Sequence, residues 1–151
     1  DVAYLLGYLT GDGCLTGSGV TIATGVEANH RRLSGWLAER FPTLVRHEYF
    51  HTRSWYVTLS HPELLNDPSR GNRKTRFHDW LERLGMKSKA TGKRVPAAIA
   101  SGSAEVRAAF LAGLFDSDGC LATNSRGVGV AFVTTASPGL LQDLRRLMQL
   151  E

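Results

Sequence analysis

The sequence predicts an α+β fold made of two related helix–hairpin–helix units within one chain. The first observation is an internal repeat. Leu5 to Leu15 (LLGYLTGDGCL) and Leu111 to Leu121 (LAGLFDSDGCL) match at a separation of 106 positions, with six of eleven residues identical. The second is that each copy is an apolar, helix-like run, followed by a polar turn, a β-prone run and another helical pattern. The third is length: 151 residues suit one compact body and are short for two independent domains. Repetition on this scale implies pseudo-twofold architecture.

After the first copy, Val20 to Thr24 reads as a strand and His30 to Phe41 as a helix. Leu44 to Tyr49 and Trp55 to Leu59 are two further β-prone runs joined by a short polar turn, and with the earlier hairpin they supply a four-stranded antiparallel sheet. Pro62 to Asn66 can begin a short helix, which Pro68, Ser69 and Gly71 interrupt. From Lys74 to Leu84, Phe77, Trp80, Leu81 and Leu84 fall on one helical face, and Gly85 suits the C-cap. Met86 to Gly102 is a basic connector with a short extended piece before Pro96. Ser103 can cap the next helix, with Glu105 near its positive end and Val106, Phe110, Gly113 and Leu114 as its inward stripe. The second unit continues through Val128 to Thr134 and Pro138 to Leu150, and lacks a counterpart of the closing pair of strands. With the opening at Asp1, this unequal ending is what a truncated chain would show.

Charge is unevenly distributed. The chain carries a formal net charge of +4. From Arg70 to Arg94, however, nine basic residues face only Asp79 and Glu82, so that segment is +7 and the remainder is −3. A concentrated patch of this kind can hold a phosphate backbone, or can serve as a solvated surface. Nothing approaches the roughly eighteen apolar residues of a membrane span. Two cysteines are too few for a disulfide scaffold or a Cys-ligated zinc site, and Cys14 and Cys120 are expected as small, buried or half-buried side chains. The five histidines form no metal-ligand motif with them, and no P-loop or dinucleotide fingerprint is present.

The repeats place an acid at the end of each helix. Gly7 and Gly11 lie four apart, as do Gly113 and Ser117, so each helix has a small-residue face that permits close packing. Asp12 and Asp118 close those helices, where the dipole end is negative. Brought together, two carboxylates repel and require a counterion, and Mg²⁺ supplies one with a preference for hard oxygen donors. Asp-Gly is also a common turn pair, but its repetition beside a repeated small-residue face favours the paired reading. Asp116 has no repeated counterpart, because Thr10 stands in its place.

Both repeats resemble the signature of LAGLIDADG homing endonucleases, especially those inserted in inteins. Leu111-Ala112-Gly113-Leu114-Phe115-Asp116-Ser117-Asp118-Gly119 is the closer copy, and Leu5-Leu6-Gly7-Tyr8-Leu9-Thr10-Gly11-Asp12-Gly13 diverges before its final Asp-Gly. Gly92-Lys93-Arg94-Val95-Pro96 is similar to the family's K-x-I/V-P arrangement, whose lysine lies near the cleavage centre. The resemblance implies a pseudo-twofold fold of αββαββα repeats, the second one incomplete. Residues 1–84 would form the first subdomain, 85–104 the connector carrying Lys93, and 105–151 the second subdomain. It implies Mg²⁺-dependent cleavage of double-stranded DNA, with Asp12, Asp118 and Lys93 catalytic and Gly11 and Ser117 beside the two acids at the metal.

DNA contacts are expected from Thr16, Ser18 and Thr21 on the first hairpin and from Arg46, His51 and Arg53 on the later strands. Arg73, Lys74, Lys87, Lys89 and Arg94 of the basic segment join them, with Thr123, Asn124 and Arg126 on the second hairpin. An intein splicing domain and a host protein would be the partners in a cytoplasmic precursor. A catalytically inactive DNA-binding module and a degenerate structural insert are the alternatives.

Overall fold

The computed structural model describes residues 1–15, 20–62, 64–65, 74–123, 125 and 127–149. In chain order its elements are α1 (Val2–Asp12), β1 (Gly13–Cys14), β2 (Val20–Thr24), α2 (Glu27–Arg40), β3 (Val45–His51), β4 (Ser54–Ser60), β5 (Leu64–Leu65), β6 (Lys74–Thr75) and α3 (Arg76–Arg83). A 3₁₀ turn (Ala90–Gly92) then leads to α4 (Ala97–Ala100), α5 (Ala104–Asp118), β7 (Gly119–Thr123), β8 (Gly129–Val133) and α6 (Pro138–Gln149). All pairings among the described strands are antiparallel, so the fold is α+β. The helix–hairpin–helix order recurs, as α1-β1-β2-α2 and as α5-β7-β8-α6. No helix among the described residues is long and apolar enough to cross a membrane. Contacts group the chain into two compact units, Asp1–Asp12 with Ser88–Glu151, and Gly13–Lys87.

The first of these units is organised by α1 against α5. A Cβ added at Gly7 would lie 2.0 Å from the Phe110 carbonyl oxygen and 2.9 Å from the Leu114 nitrogen. One added at Gly113 would lie 2.0 Å from the Tyr4 oxygen and 2.9 Å from the Tyr8 nitrogen. Each glycine thus meets the residues three before and one after the other glycine, as a local twofold requires. The helices run parallel, because further along Gly11 meets Ser117 and Asp118. Leu5, Leu9, Phe110 and Leu114 are fully buried beside this contact, and each such side chain contributes about 1.5–3 kcal/mol on leaving water. In α6, Leu140, Leu144 and Leu147 form the buried face.

The second unit carries a four-stranded sheet in the order β1-β2-β4-β3. Val20, Ile22, Val57 and Leu59 lie on one face and are completely buried, as is Leu37 of α2. α3 ends at Gly85, whose φ of +75° and amide bond to the Glu82 oxygen form a left-handed C-cap.

Several expectations need correction. Where a short helix is expected over 62–66, the described Leu64 and Leu65 instead pair with Thr75 and Lys74 as β5 and β6, and residues 63 and 66 lie outside the described residues. The following helix therefore starts at Arg76, where the Thr75 hydroxyl accepts from the His78 amide at 3.2 Å. The connector holds α4, led in by Pro96 at φ −56°. Ser103 occupies the N-cap position, but its hydroxyl donates to Glu105 Oε2 at 2.6 Å and makes no capping bond. Cys14 and Cys120 are exposed rather than buried, because Cys14 lies on the edge strand β1 and Cys120 on β7, whose residues after Gly119 are all exposed.

The close helix approach is testable by adding one methyl group. Gly7→Ala should destabilise the protein by about 3 kcal/mol, because neither backbone neighbour can give way. Gly35→Ala should instead stabilise it by about 0.5–1 kcal/mol, since that Gly is exposed inside α2 with nothing within 4 Å. Urea midpoints measure both, and equal effects of one sign would refute the contact.

Candidate active site

The parallel packing of α1 and α5 carries Asp12 and Asp118, their last residues, to the same end of the helix pair. Their carboxyl groups come close together: a Cβ added at Gly11 would lie 3.2 Å from the Asp118 carboxyl carbon, and Asp118 bears on the ionisation of Asp12. Asp12 is half-buried and Asp118 exposed. Burial, and after it the charge and hydrogen bond of Asp118, raise the Asp12 carboxyl from its ordinary 3.8 to about 6, while the Lys93 ammonium opposes the rise.

Lys93 comes from the segment between the 3₁₀ turn and α4. Its Nζ donates to the Gly11 carbonyl at 2.6 Å, in the last turn of α1. A cation there meets the negative end of the helix dipole. So three groups separated by 82 and 106 positions in sequence share one place: Lys93, the Gly11–Asp12 turn and Asp118. All belong to the same compact unit. Beside them the Ser117 hydroxyl turns back to the Leu114 carbonyl at 2.9 Å. Asp116 is exposed and accepts from the Tyr4 hydroxyl at 2.6 Å, a polar clasp between α5 and α1. Its sequence counterpart Thr10 is buried and bonded to the Leu6 carbonyl at 2.8 Å.

The donor set at this end of the helices is entirely oxygen: two carboxyls and the main chain of α1. Among the described residues no cluster of three or more His, Cys, Asp or Glu side chains exists. A cation here would therefore rest on two carboxylates and draw further ligands from water, which suits a small hard divalent ion. The raised proton affinity of Asp12 marks where positive charge is favoured.

Strand register sorts the remaining candidates. In the four-stranded sheet, Thr21 pairs with Thr58 and His51 with Ser54, on the face opposite buried Ile22 and Val57. That face also carries His47, Tyr49 and Tyr56, the two tyrosine rings stacked at 5.0 Å. Arg46 pairs with Leu59 and so belongs to the face packed by α2. Also on that face, Glu48 takes His30 Nε2 at 2.9 Å and the Ser34 hydroxyl. Arg53 is exposed in the β3–β4 turn at φ +65°. Thr123 pairs with Gly129 on β7 and is exposed, Lys89 is exposed, and Lys87 donates to Glu82 at 2.7 Å. Thr16, Ser18, Arg73, Asn124 and Arg126 lie outside the described residues, as does the side chain of Lys74.

Arg94 is held within its own unit, in a bidentate pair with Asp143 at 2.6 and 2.8 Å. Sequence reasoning gave no role to Asp143, Ser137 or Tyr4. A lone acid on the polar side of α6 carries no local signal, and its partner lies 49 positions away.

Residues 105–150 match the family described as LAGLIDADG-like domain. Over 154 aligned positions the chain is 28% identical to the ribonucleoside-diphosphate reductase NrdEB subunit alpha of Bacillus subtilis (strain 168), and equally to that of Bacillus phage SPbeta, covering 98% of this chain and 14% of each relative. It is 28% identical over 148 positions to the replicative DNA helicase DnaB of Rhodothermus marinus, covering 95% of this chain and 15% of that one. The chain thus spans about a seventh of the length of these curated relatives.

Asp12 gives stability a signed pH dependence. Its folded value, about 6, exceeds the ordinary 3.8, so the folded state binds the proton more tightly. The resulting stabilisation is fully present below 3.8 and is lost as pH rises through about 6. In a chelator, the thermal midpoint of the wild type should fall relative to that of Asp12→Asn between about pH 4 and pH 7. Parallel curves would show that folding does not raise the proton affinity of Asp12.

Proposed function

We propose, from the match of residues 105–150 to the LAGLIDADG-like domain family, that this chain is the DNA-binding and DNA-cleaving endonuclease domain of an intein. In this reading it cuts both strands of duplex DNA at a specific site by Mg²⁺-dependent phosphodiester hydrolysis. The observation that carries the proposal is the meeting of Asp12 with Asp118 and of Lys93 with the Gly11 carbonyl at one end of a tightly packed helix pair. The insert reading draws support from the relatives. Nearly the whole chain aligns with about a seventh of a reductase subunit and of a helicase. A module shared by proteins of such different activity behaves as an insertion. Its partners would be a splicing domain and the host protein in a cytoplasmic precursor, besides the target duplex. Residues 1–84 and 105–151 act as the two related subdomains, joined by 85–104.

Asp12 and Asp118 would hold Mg²⁺, which supplies Lewis acidity toward the scissile phosphate, with Gly11 and Ser117 beside them. The two carboxylates also accept hydrogen bonds from water and so orient it for attack. Lys93 brings a fixed positive charge to the same point, placed to stabilise the negative charge that builds on the phosphate. Thr21 and His51 lie on a sheet face with stacked tyrosines, suited to base edges and thymine methyl groups. Arg53, Lys87, Lys89 and Thr123 serve the phosphate backbone.

A supercoiled plasmid carrying the uninterrupted host sequence should be linearised with Mg²⁺ and left intact with chelator. Asp12→Asn or Asp118→Asn should slow cleavage about 100-fold or more, while DNA affinity in a gel-shift assay stays within about three-fold of wild type. Binding without cleavage by the wild type would identify an inactive DNA-binding module. A natively folded protein, by circular dichroism, that does neither would be a structural insert.

A further inference from the structure

Lys93 reaches the acid pair from a stretch of chain with no regular secondary structure, and a long flexible side chain on such a stretch loses much of its effect to conformational entropy. The structure removes that freedom through α6. The Ser137 hydroxyl, on a residue only 1% exposed, donates to the Lys93 carbonyl at 2.7 Å. Asp143 accepts three bonds: from Arg94 Nε at 2.6 Å, from an Arg94 terminal nitrogen at 2.8 Å, and from the Val95 amide at 3.1 Å. A Cβ at Gly139 would come 2.6 Å from Arg94 Cδ, so the missing side chain leaves a slot through which the arginine stem crosses the first turn of α6. The Asp143 side chain is 12% exposed and that of Arg94 58%, so the hold of this pair comes from its bidentate geometry and the added Val95 amide rather than from burial.

These contacts take hold of residues 93, 94 and 95 in succession. With Lys93 in extended backbone (φ −58°, ψ 143°), consecutive side chains leave on different sides. Fixing Arg94 against α6 thus aims Lys93 at the Gly11 carbonyl. An arginine reserved for phosphate would gain nothing from a shielded carboxylate gripping it in bidentate fashion.

We propose that Asp143 is a positioning residue for Lys93: by clamping Arg94 and the Val95 amide onto α6, it sets the lysine ammonium beside the acid pair. The proposal rests on the nuclease reading for its consequence in turnover, but the clamp can be measured without DNA. An acidic side chain cannot attract a phosphate backbone, so its loss cannot weaken DNA binding directly, and a fall in cleavage reports on what it holds in place.

The test uses the whole chain and variants whose fold is checked by circular dichroism. Limiting acetic anhydride, read by mass spectrometry, compares Lys93 with exposed Lys89. In the wild type Lys93 should react several-fold more slowly. In Asp143→Ala its rate should rise at least about three-fold, and in Asp143→Glu, which keeps a carboxylate in reach, it should stay near wild type. On target plasmid Asp143→Ala should lose about ten-fold in kcat, the scale on which misplacing a reacting group acts, with KM unchanged and DNA affinity equal or tighter. Asp143→Glu should restore kcat. If Asp143→Ala does not fold, Arg94→Met, which keeps the stem over Gly139, is read by labelling in its place. Unchanged Lys93 labelling in a folded variant overturns the clamp, and altered labelling with unaltered kcat overturns its service to cleavage. A wild type that cuts no DNA while labelling shifts as expected supports the clamp and sinks the nuclease reading separately.

Discussion

The backbones of α1 and α5 pass so close that a single methyl group at Gly7 or Gly113 would overlap a carbonyl oxygen of the neighbouring helix. The rest of the site follows from this constraint. Two helices kept apart by ordinary side chains lie about 8–10 Å from axis to axis, and their terminal acids would then face water separately. With glycine at the crossing, and with Leu5, Leu9, Phe110 and Leu114 buried around it, the two C-termini are brought together although their dipoles and acids repel.

The molecule answers that repulsion in two ways. Asp12 holds its proton up to about 6, well above the ordinary 3.8, and the Lys93 ammonium sits on the last-turn carbonyl of α1. Both place positive charge where a divalent cation or a phosphate would meet the acids. Repulsion between like charges at this helix end is thus what favours positive charge there. Lys93 in turn takes its aim from the grip of α6 on the neighbouring residues, so an element remote in sequence controls the charge balance at the acids.

The sheet shows how much depends on register. Alternation along β3 sends His47, Tyr49 and His51 to one face and Arg46, Glu48 and Phe50 to the other. On the helix side, Glu48 is engaged by His30 and Ser34, and Trp55 stacks on His30 with ring centres 5.2 Å apart. The opposite face is left with threonines, histidines and tyrosines, a surface poor in fixed charge.

The sequence alone determined the elements whose cause is local. The repeated Gly-x-x-x-small spacing before Asp-Gly announced two matching helices and their terminal acids, and β-branched and aromatic runs marked β2, β3 and β4. Gly85 marked the end of α3 because only its backbone freedom is needed there. Tertiary structure decided whatever depends on partners distant along the chain. Leu64 and Leu65 became a strand because Lys74 and Thr75 came to pair with them. Which side of the sheet Arg46 would occupy followed from pairing register, and Cys14 and Cys120 were exposed because they lie on the edge strand β1 and the uncovered β7. Arg94 has the composition of a phosphate ligand, yet the fold placed Asp143 within reach and gave it a different partner. Periodicity and spacing report how a residue relates to its neighbours in the chain, whereas an ion pair or a buried face is set by what the folded backbone brings alongside.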